Sequence, residues 1–185
     1  PVESFWLEWG PSAQTAAARD AAERRFASLT ETLLFAQLDF DFLCEAELPA
    51  LTDGDGGVCG EGPAAELHVG RMRYGAVLVP GCRTLRASTV RLLARFARAG
   101  GRVLLWGGGP ELVEAAPDAD GLLARLCAQA VRVPDGAEPL LAALEPLREG
   151  VIELPPIPVG GDRTAPLQLT VRPMARGSAA NGDEV

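Results

Sequence analysis

The clearest hydrophobic pattern in the chain is a short apolar run, a helical repeat and a second apolar run. Residues 76–79 form the first run, which is rich in valine and closes at Pro80, as a strand buried on both faces would. From residue 87, apolar side chains recur every three or four positions with arginines between them, which predicts an amphipathic helix. Two consecutive glycines end that helix, and residues 103–106 form the second run. The pattern predicts a right-handed unit of strand, helix and strand.

Further elements are predicted on both sides of this unit. Before it, Ser12 is placed to cap a long helix over 13–38, and the alternating residues 39–43 predict a strand. After it, helical patterns cover 110 to about 115, 120–127 and 139–148, and a short strand covers 130–133. The alternation of helices and strands predicts an α/β fold, a flavodoxin-like doubly wound parallel sheet in three layers with strand order 2-1-3-4-5.

The central first strand of such a sheet has no full counterpart in this sequence. Residues 1–9 could supply only its outgoing end, so we expect strand 1 to be truncated and the chain to be a fragment of a longer protein. The doubly wound domain is predicted to cover residues 1–159. Residues 160–185 would form a linker and the start of a β-type extension, because residues 167–172 alternate between apolar and polar side chains.

The net charge and the hydropathy of the chain limit the kinds of molecule that it is expected to bind. The formal net charge is -8 and all 17 basic residues are arginine, with no basic block. This argues against binding to nucleic acid or to an anionic membrane surface. No run of about 18 apolar residues is present, so no membrane-spanning helix is expected. The N-terminus lacks the pattern of a secretory signal, which favours a cytoplasmic location.

The four cysteines and one histidine do not have the spacing of a metal site. No two cysteines form a Cys-x-x-Cys pair, so we expect free, buried thiols and no zinc. The run from Asp53 to Gly57 is similar to a calcium loop, but its twelfth position is Ala64, where such a loop needs glutamate. The glycines at 107–109 match neither common phosphate-binding pattern. We therefore expect no metal and no cofactor.

Candidate binding residues gather at one edge of the predicted sheet, because ligands of open α/β sheets bind at the carboxyl ends of the strands. That edge is expected to hold Trp6, Trp9, Glu45, Cys82, Arg83 and Trp106. Tryptophan rings stack on sugars and also bury well against protein, so the set predicts a carbohydrate contact or a domain interface. The enrichment of tryptophan in interfaces favours the second interpretation.

Cys82 is the candidate nucleophile, because a helix N-terminus at its strand-to-helix turn could stabilise a thiolate. Cysteine catalysis also needs a histidine to take the proton, and the only histidine, His68, precedes the same strand. A strand of about six residues spans about 20 Å, which argues against this pair and leaves His68 as a loop or interface residue. Asp39 and Asp41 would lie about 7 Å apart on one strand face, but no opposing surface is predicted to hold a sugar between them.

Two segments carry a resemblance to a known family: Asp39-Phe-Asp-Phe-Leu-Cys-Glu, and Tyr74-Gly-Ala-Val-Leu-Val-Pro-Gly with Leu85 and Gly100-Gly-Arg-Val further on. Over about residues 2–159 the chain resembles the class I glutamine amidotransferase-like domain of large glycoside hydrolases. Examples are the trimerisation domain of bacterial β-galactosidases and its equivalent in α-L-rhamnosidase-like hydrolases. Active amidotransferases carry their cysteine in an elbow, which corresponds here to Trp106-Gly107-Gly108, and Cys82 falls at the oxyanion-side turn. The resemblance implies a scaffold that has lost its chemistry.

These observations lead to one main hypothesis and two alternatives. The main hypothesis is a noncatalytic accessory domain of a carbohydrate-active glycoside hydrolase, which packs against a neighbouring catalytic domain or forms a homo-oligomer. One alternative is a cysteine-dependent amidase or thiol hydrolase that uses Cys82. The other is a carbohydrate-binding module that uses Trp6, Trp9 and Trp106.

Overall fold

The computed structural model describes residues 2–7, 9, 12–52 and 57–147, which form six helices and nine short strands. The helices are α1 (Val2–Leu7), α2 (Ala13–Phe35), α3 (Leu48–Leu51), α4 (Ala87–Arg98), α5 (Leu122–Cys127) and α6 (Ala137–Leu144). The strands are β1 (Val58–Cys59), β2 (Glu66–Val69), β3 (Met72–Tyr74), β4 (Ala76–Pro80), β5 (Thr84–Leu85), β6 (Arg102–Trp106), β7 (Leu112–Val113), β8 (Ala116–Pro117) and β9 (Val131–Val133). Single 3₁₀ turns cover Gly62–Ala64 and Glu145–Leu147.

Three of the strands form a parallel sheet in the order β4, β6, β9. Val79 of β4 lies level with Leu105 of β6, and Leu105 lies level with Arg132 of β9. Parallel neighbours need a crossover connection, and α4 and α5 supply the two connections. Two small sheets accompany it, an antiparallel one of β1, β2 and β3 and a mixed one of β5, β7 and β8. The chain is thus a mixed α/β structure with a parallel sheet, as the sequence predicts.

The predicted unit of strand, helix and strand is confirmed as β4, α4 and β6. The buried face of α4 includes Val90, Leu93 and Phe96, while Arg91 is exposed. The helix ends before two glycines, and the second of them, Gly101, lies against the ring of Phe96. A Cβ atom on Gly101 would overlap that ring, so a glycine is needed for β6 to begin this close to the end of α4.

Side chains along β6 alternate between two apolar clusters on opposite faces of the parallel sheet. Val103 and Leu105 belong to the cluster that contains residues of α4 and α5. Leu104 and Trp106 belong to the cluster that contains residues of α2 and α6. All four are 1% exposed, as expected for a strand between two neighbours. Helices therefore cover both faces of the parallel sheet.

Tertiary contacts change two of the predicted elements. Residues 39–43 form no strand, and Asp41 instead accepts a hydrogen bond from the hydroxyl of Tyr74 at 2.9 Å. Residues 110–115, which the pattern predicts to be helical, lead into the β7–β8 hairpin. Its two turn residues, Glu114 and Ala115, have φ of 51° and 63°, a conformation that matches the twist of paired strands. The helix prediction for this segment is therefore wrong.

The segment before α2 also differs from the prediction. Val2–Leu7 is a helix, so it does not supply the outgoing end of a central strand. The remaining elements are found where the sequence predicts them, with shifted ends: Ala13–Phe35 for the long helix, Leu122–Cys127 and Ala137–Leu144 for the later helices, and Val131–Val133 for the last strand.

Several predictions concern residues outside the described ranges. These are most of the acidic loop at 53–57, the domain boundary at 159, the extension over 160–185 and its strand over 167–172. Among the residues that the structure describes, no helix is long and apolar enough to cross a bilayer.

Candidate functional site

The carboxyl edge of the parallel sheet is occupied by Arg25, a side chain from α2. Its Nη1 donates to the carbonyl oxygen of Gly81, directly after β4, at 3.4 Å. Its Nε lies 3.5 Å from Oδ2 of Asp135, in the turn after β9. The space beside Gly107, directly after β6, is filled by the same side chain. Arg25 therefore links the ends of all three parallel strands and takes the place where a ligand of an open α/β sheet would bind.

Trp106 occupies the elbow after β6 and belongs to the core. Its side chain is buried, and its indole N–H donates to the carbonyl oxygen of Gly136 at 3.0 Å. The backbone N–H of Gly107 donates to the carbonyl oxygen of Val133 at 3.0 Å, which ties the elbow to β9. The elbow presents neither a thiol nor a ring face to solvent. This corrects the expectation that all three tryptophans project from one edge, because Trp106 packs inward.

Trp6 and Trp9 are exposed, by 67% and 75%. The guanidinium carbon of Arg19 lies 5.2 Å from the ring centroid of Trp9, within the range of a cation–π contact. The structure therefore leaves two of the three predicted tryptophans at the surface, and one ring face of Trp9 is already engaged by the protein.

Ser4 holds α1 in place, and it also explains the position of Arg83. The Ser4 hydroxyl donates to the carbonyl oxygen of Thr84 at 3.0 Å. Its oxygen accepts the backbone N–H groups of Thr84 at 3.0 Å and of Arg83 at 3.2 Å. Arg83 thus contributes its backbone to this contact, while its side chain is exposed. Nothing in the sequence pattern distinguishes Ser4, because a single serine in a short helix carries no periodic signal.

Glu45 is buried and stabilises the start of α4. Its Oε2 accepts a hydrogen bond from the backbone N–H of Arg86, the N-cap residue of that helix, at 2.9 Å. A carboxylate at a helix N-terminus binds N–H groups that have no partner within the helix and interacts favourably with the helix dipole. This contact gives Glu45 a structural role in joining the segment before α3 to α4.

Cys82 is a packed thiol and not an activated one. Burial raises its pKa to about 12, and the nearby carboxylate of Glu45 also raises it. The nucleophilic form of cysteine is the thiolate, so a raised pKa opposes reaction at neutral pH. Cys82 also packs against the apolar cluster of α4 and α5. The geometry gives it the role of a small apolar side chain.

His68 lies on β2, in the antiparallel sheet, where both of its ring nitrogens have partners. Nε2 is 3.1 Å from Oε2 of Glu66, and Nδ1 is 3.5 Å from Sγ of Cys59. The structure therefore pairs the histidine with Cys59 and not with Cys82. Within the described ranges, no group of three or more His, Cys, Asp or Glu side chains is arranged to hold a metal ion.

Three phenylalanines, Phe26, Phe40 and Phe42, form an aromatic surface that is partly exposed. The ring centroids of Phe26 and Phe42 are 5.1 Å apart, and Phe40 meets Phe42 edge-on at 5.4 Å. Phe26 is 44% exposed and Phe42 is 62% exposed. Phe40 and Leu78 of β4 both pack against the apolar cluster that contains residues of α2 and α6. β4 pairs with β6 along one edge, and no other strand of the described chain pairs with its second edge.

Two shallow grooves are present away from the carboxyl edge. The first, of about 370 Å³, lies between α2 and α6 and is lined by residues that include Thr32, Phe35 and Leu141. The second, of about 230 Å³, lies between α3 and α4 and is lined by residues that include Arg91 and Leu92. Neither groove is lined by a residue that the sequence predicts for the site.

The residues predicted to form one site are thus divided between core and surface. Trp106 and Glu45 are buried and Cys82 is packed, whereas Trp6 and Trp9 are exposed. The structure therefore does not bring the predicted residues together as one site. The chain matches no protein-family model, no curated protein and no solved structure.

Proposed function

We propose that this chain is a noncatalytic accessory domain with an amidotransferase-like fold. It packs against a neighbouring catalytic domain of a glycoside hydrolase or against further copies of itself. Two observations carry the proposal: the aromatic surface of Phe26, Phe40 and Phe42, and the edge of β4 that pairs with no other strand of the described chain. Clustered exposed rings and an unpaired strand edge are both features that proteins cover with another protein surface.

The order of the parallel strands supports the doubly wound part of the proposal. β4, β6 and β9 follow one another in sequence order, as strands 3, 4 and 5 do in the order 2-1-3-4-5. In that order strand 1 lies beside strand 3, at the position of the open edge of β4. We assign this edge to a strand from the adjoining polypeptide, which would pair with β4.

The carboxyl edge supports the noncatalytic part. A buried tryptophan, Trp106, stands at the elbow where the resemblance places a cysteine. Arg25 fills the space in front of that elbow through its contacts with Gly81 and Asp135. Cys82 remains protonated at neutral pH because its pKa is raised to about 12. These features provide neither room for a substrate nor a group to attack it.

The exposed rings provide enough free energy for a measurable domain contact. Full burial of a phenylalanine side chain stabilises by about 1.5–3 kcal/mol. About half of each ring is still exposed at Phe26 and Phe42, so covering each one would contribute roughly 1 kcal/mol, with aromatic contacts across the interface adding about as much. Loss of one ring would therefore cost about 2 kcal/mol and weaken binding by about thirtyfold.

Sedimentation velocity with a matched pair of variants tests the proposal. Phe42→Asp places a charge in the aromatic surface, whereas Met72→Asp places the same charge at an apolar residue of β3 that is 51% exposed. We expect the chain to self-associate or to bind the catalytic domain of its parent protein. Phe42→Asp should weaken that association by about tenfold or more, and Met72→Asp should leave it unchanged.

Two results would overturn the proposal. One is a chain that stays monomeric at its solubility limit and also fails to bind the catalytic domain. The other is an association that both variants weaken equally, since this would locate the contact away from the aromatic surface. Circular dichroism of each variant shows whether the fold is retained.

A further inference from the structure

The β1–β2 hairpin brings a thiol, an imidazole and a carboxylate together on one face. Cys59 lies directly opposite Glu66 in the antiparallel register, and His68 is two positions along β2 from Glu66. Side chains two apart on a strand share a face, and so do directly opposed cross-strand residues. Leu67 and Val69 point the other way and are buried, which fixes the orientation of the hairpin.

The hydrogen bonds of this cluster determine where the imidazole proton lies. The carboxylate of Glu66 can only accept, so Nε2 of His68, at 3.1 Å, is the donor. In the neutral ring Nδ1 then carries the lone pair, and this atom lies 3.5 Å from Sγ of Cys59. The thiol therefore faces a base whose other nitrogen is held by a carboxylate. This is the arrangement that activates cysteine and serine nucleophiles, whatever fold carries them.

Two charged side chains, Glu66 and Arg73, lie next to His68. Glu66 stabilises the imidazolium that forms, as the buried aspartate does in hydrolytic triads. Arg73, on β3, lies opposite His68 in the register and its Nη1 is 3.9 Å from the same Glu66 oxygen, so this exposed guanidinium shares the carboxylate with His68. Cys59 itself is exposed, so a small electrophile can reach its sulfur.

We propose that Cys59 is a reactive thiol that exchanges with low-molecular-weight disulfides and so becomes a site of reversible S-thiolation. His68 Nδ1 takes the proton from Sγ, and the sulfur electron pair attacks one sulfur of the disulfide. The new S–S bond joins Cys59 to half of the reagent. The original S–S bond breaks, and its electron pair leaves with the other half as a thiolate, which takes a proton from His68. Cys59 is oxidised to a mixed disulfide, and half of the reagent is reduced to a thiol.

The other cysteines lack this combination of features. Cys44 is exposed, but the only histidine of the chain contacts Cys59. Cys82 is packed in an apolar cluster, and Cys127 is partly buried against the same cluster. The protein thus contains its own control, because Cys44 reports the reactivity of an exposed thiol without an imidazole partner.

The geometry favours a small linear disulfide over an acyl substrate. Cys59 lies on an exposed face of the hairpin and lines neither of the two grooves described above. Acyl transfer needs a bound substrate and hydrogen-bond donors for the developing oxyanion, whereas thiol–disulfide exchange needs an accessible thiolate and a leaving thiol.

Oxidised glutathione, followed by peptide mapping on a mass spectrometer, tests the proposal on the intact chain. At neutral pH, Cys59 should form the mixed disulfide about tenfold faster than Cys44, and dithiothreitol should reverse it. His68→Gln should reduce the rate at Cys59 to that at Cys44. Glu66→Gln, which keeps the side-chain shape, should give an intermediate rate. Free imidazole added to His68→Ala should restore part of the rate, which a merely structural role of His68 would not produce.

The proposal is overturned if Cys44 and Cys59 react equally fast in the unmodified chain. It is also overturned if both His68→Gln and Glu66→Gln leave the Cys59 rate unchanged. If His68→Gln proves unfolded by circular dichroism, the Glu66→Gln rate decides alone. The result is independent of the proposed accessory function, since the aromatic surface and Cys59 are measured by different variants.

Discussion

Replacing Ser4 with alanine should release α1 from β5. The hydroxyl of Ser4 makes three hydrogen bonds to the backbone of residues 83–84, at 3.0, 3.0 and 3.2 Å. Ser4 and Thr84 are both buried, so alanine would leave the N–H and C=O groups of Thr84 without these partners and shielded from water.

The size of the effect follows from the cost of unpaired buried groups. Each buried donor or acceptor that loses its partner costs about 1–3 kcal/mol, and the Arg83 N–H, which is only partly buried, costs less. The two buried groups of Thr84 alone give a loss of about 2–6 kcal/mol in the free energy of unfolding, and the Arg83 N–H adds a smaller amount. In a domain of this size that corresponds to a fall in Tm of about 4–24 °C.

Urea unfolding followed by circular dichroism measures this loss, with Ser88→Ala as the control. Ser88 is an exposed residue of α4, so its replacement should change the free energy of unfolding by less than about 0.5 kcal/mol. The midpoint for Ser4→Ala should fall while the slope with urea stays constant. If Ser4→Ala were as stable as Ser88→Ala, the hydrogen bonds of Ser4 would not be what holds α1.

Two further predictions concern ionisation and packing. Burial first, and then the hydrogen bond and charge of Asp41, raise the pKa of Tyr74 to about 12. Tyr74 is the only tyrosine, so the ultraviolet absorbance of the phenolate reports its pKa directly. We expect a pKa of about 12 in the folded protein and about 10 in the urea-unfolded chain. In the folded Asp41→Asn variant the pKa of Tyr74 should be lower than in the folded wild type. Because the pKa of Tyr74 is higher in the folded state, protonated Tyr74 contributes its full stabilisation below about pH 10, and this stabilisation is lost as the pH rises towards 12. Equal titration midpoints in the folded and unfolded chains would refute the prediction. Gly101→Ala should lower the free energy of unfolding by about 1–3 kcal/mol, because the new methyl group would overlap the buried ring of Phe96. The control, Gly75→Ala, adds a methyl group in open space and should change the free energy of urea unfolding by less than about 0.5 kcal/mol.

The parts of the fold that local pattern decides could be predicted from the sequence. β4, α4 and β6 combine a buried valine run, a helical repeat and a glycine stop, so three separate signals agree. Residues 39–43 alternate as a strand would, but a strand also needs a partner, and the sequence does not show which strand lies alongside. The β7–β8 turn could not be predicted either, because its backbone conformation depends on contacts with a distant strand. Positive φ at Glu114 and Ala115 is unusual for residues with side chains, and contacts with β5 support it.

The sequence does not show how deeply a side chain is buried, and this limited the predictions for the site. A tryptophan at the end of a strand, such as Trp106, can face ligand or core, and periodicity does not distinguish the two. Cys59 and His68 were missed as a pair because they are nine positions apart across a connection whose register the sequence does not fix. One signal was present: Glu66 and His68 alternate with Leu67 and Val69, which places both polar residues on one strand face.

The parallel pairing of β4 with β6 through α4 has a consequence for the order of events during folding. This unit lies within residues 76–106, so its contacts close short loops, whereas Ser4 meets Thr84 across 80 positions. Contacts between distant segments stabilise the chain only after the local unit has formed, so α1 is expected to dock after the folding transition state. A defect in α1 would then accelerate unfolding and leave the folding rate almost unchanged. The N-terminal helix sets how long the folded state lasts, while the unit of β4, α4 and β6 sets how quickly it forms.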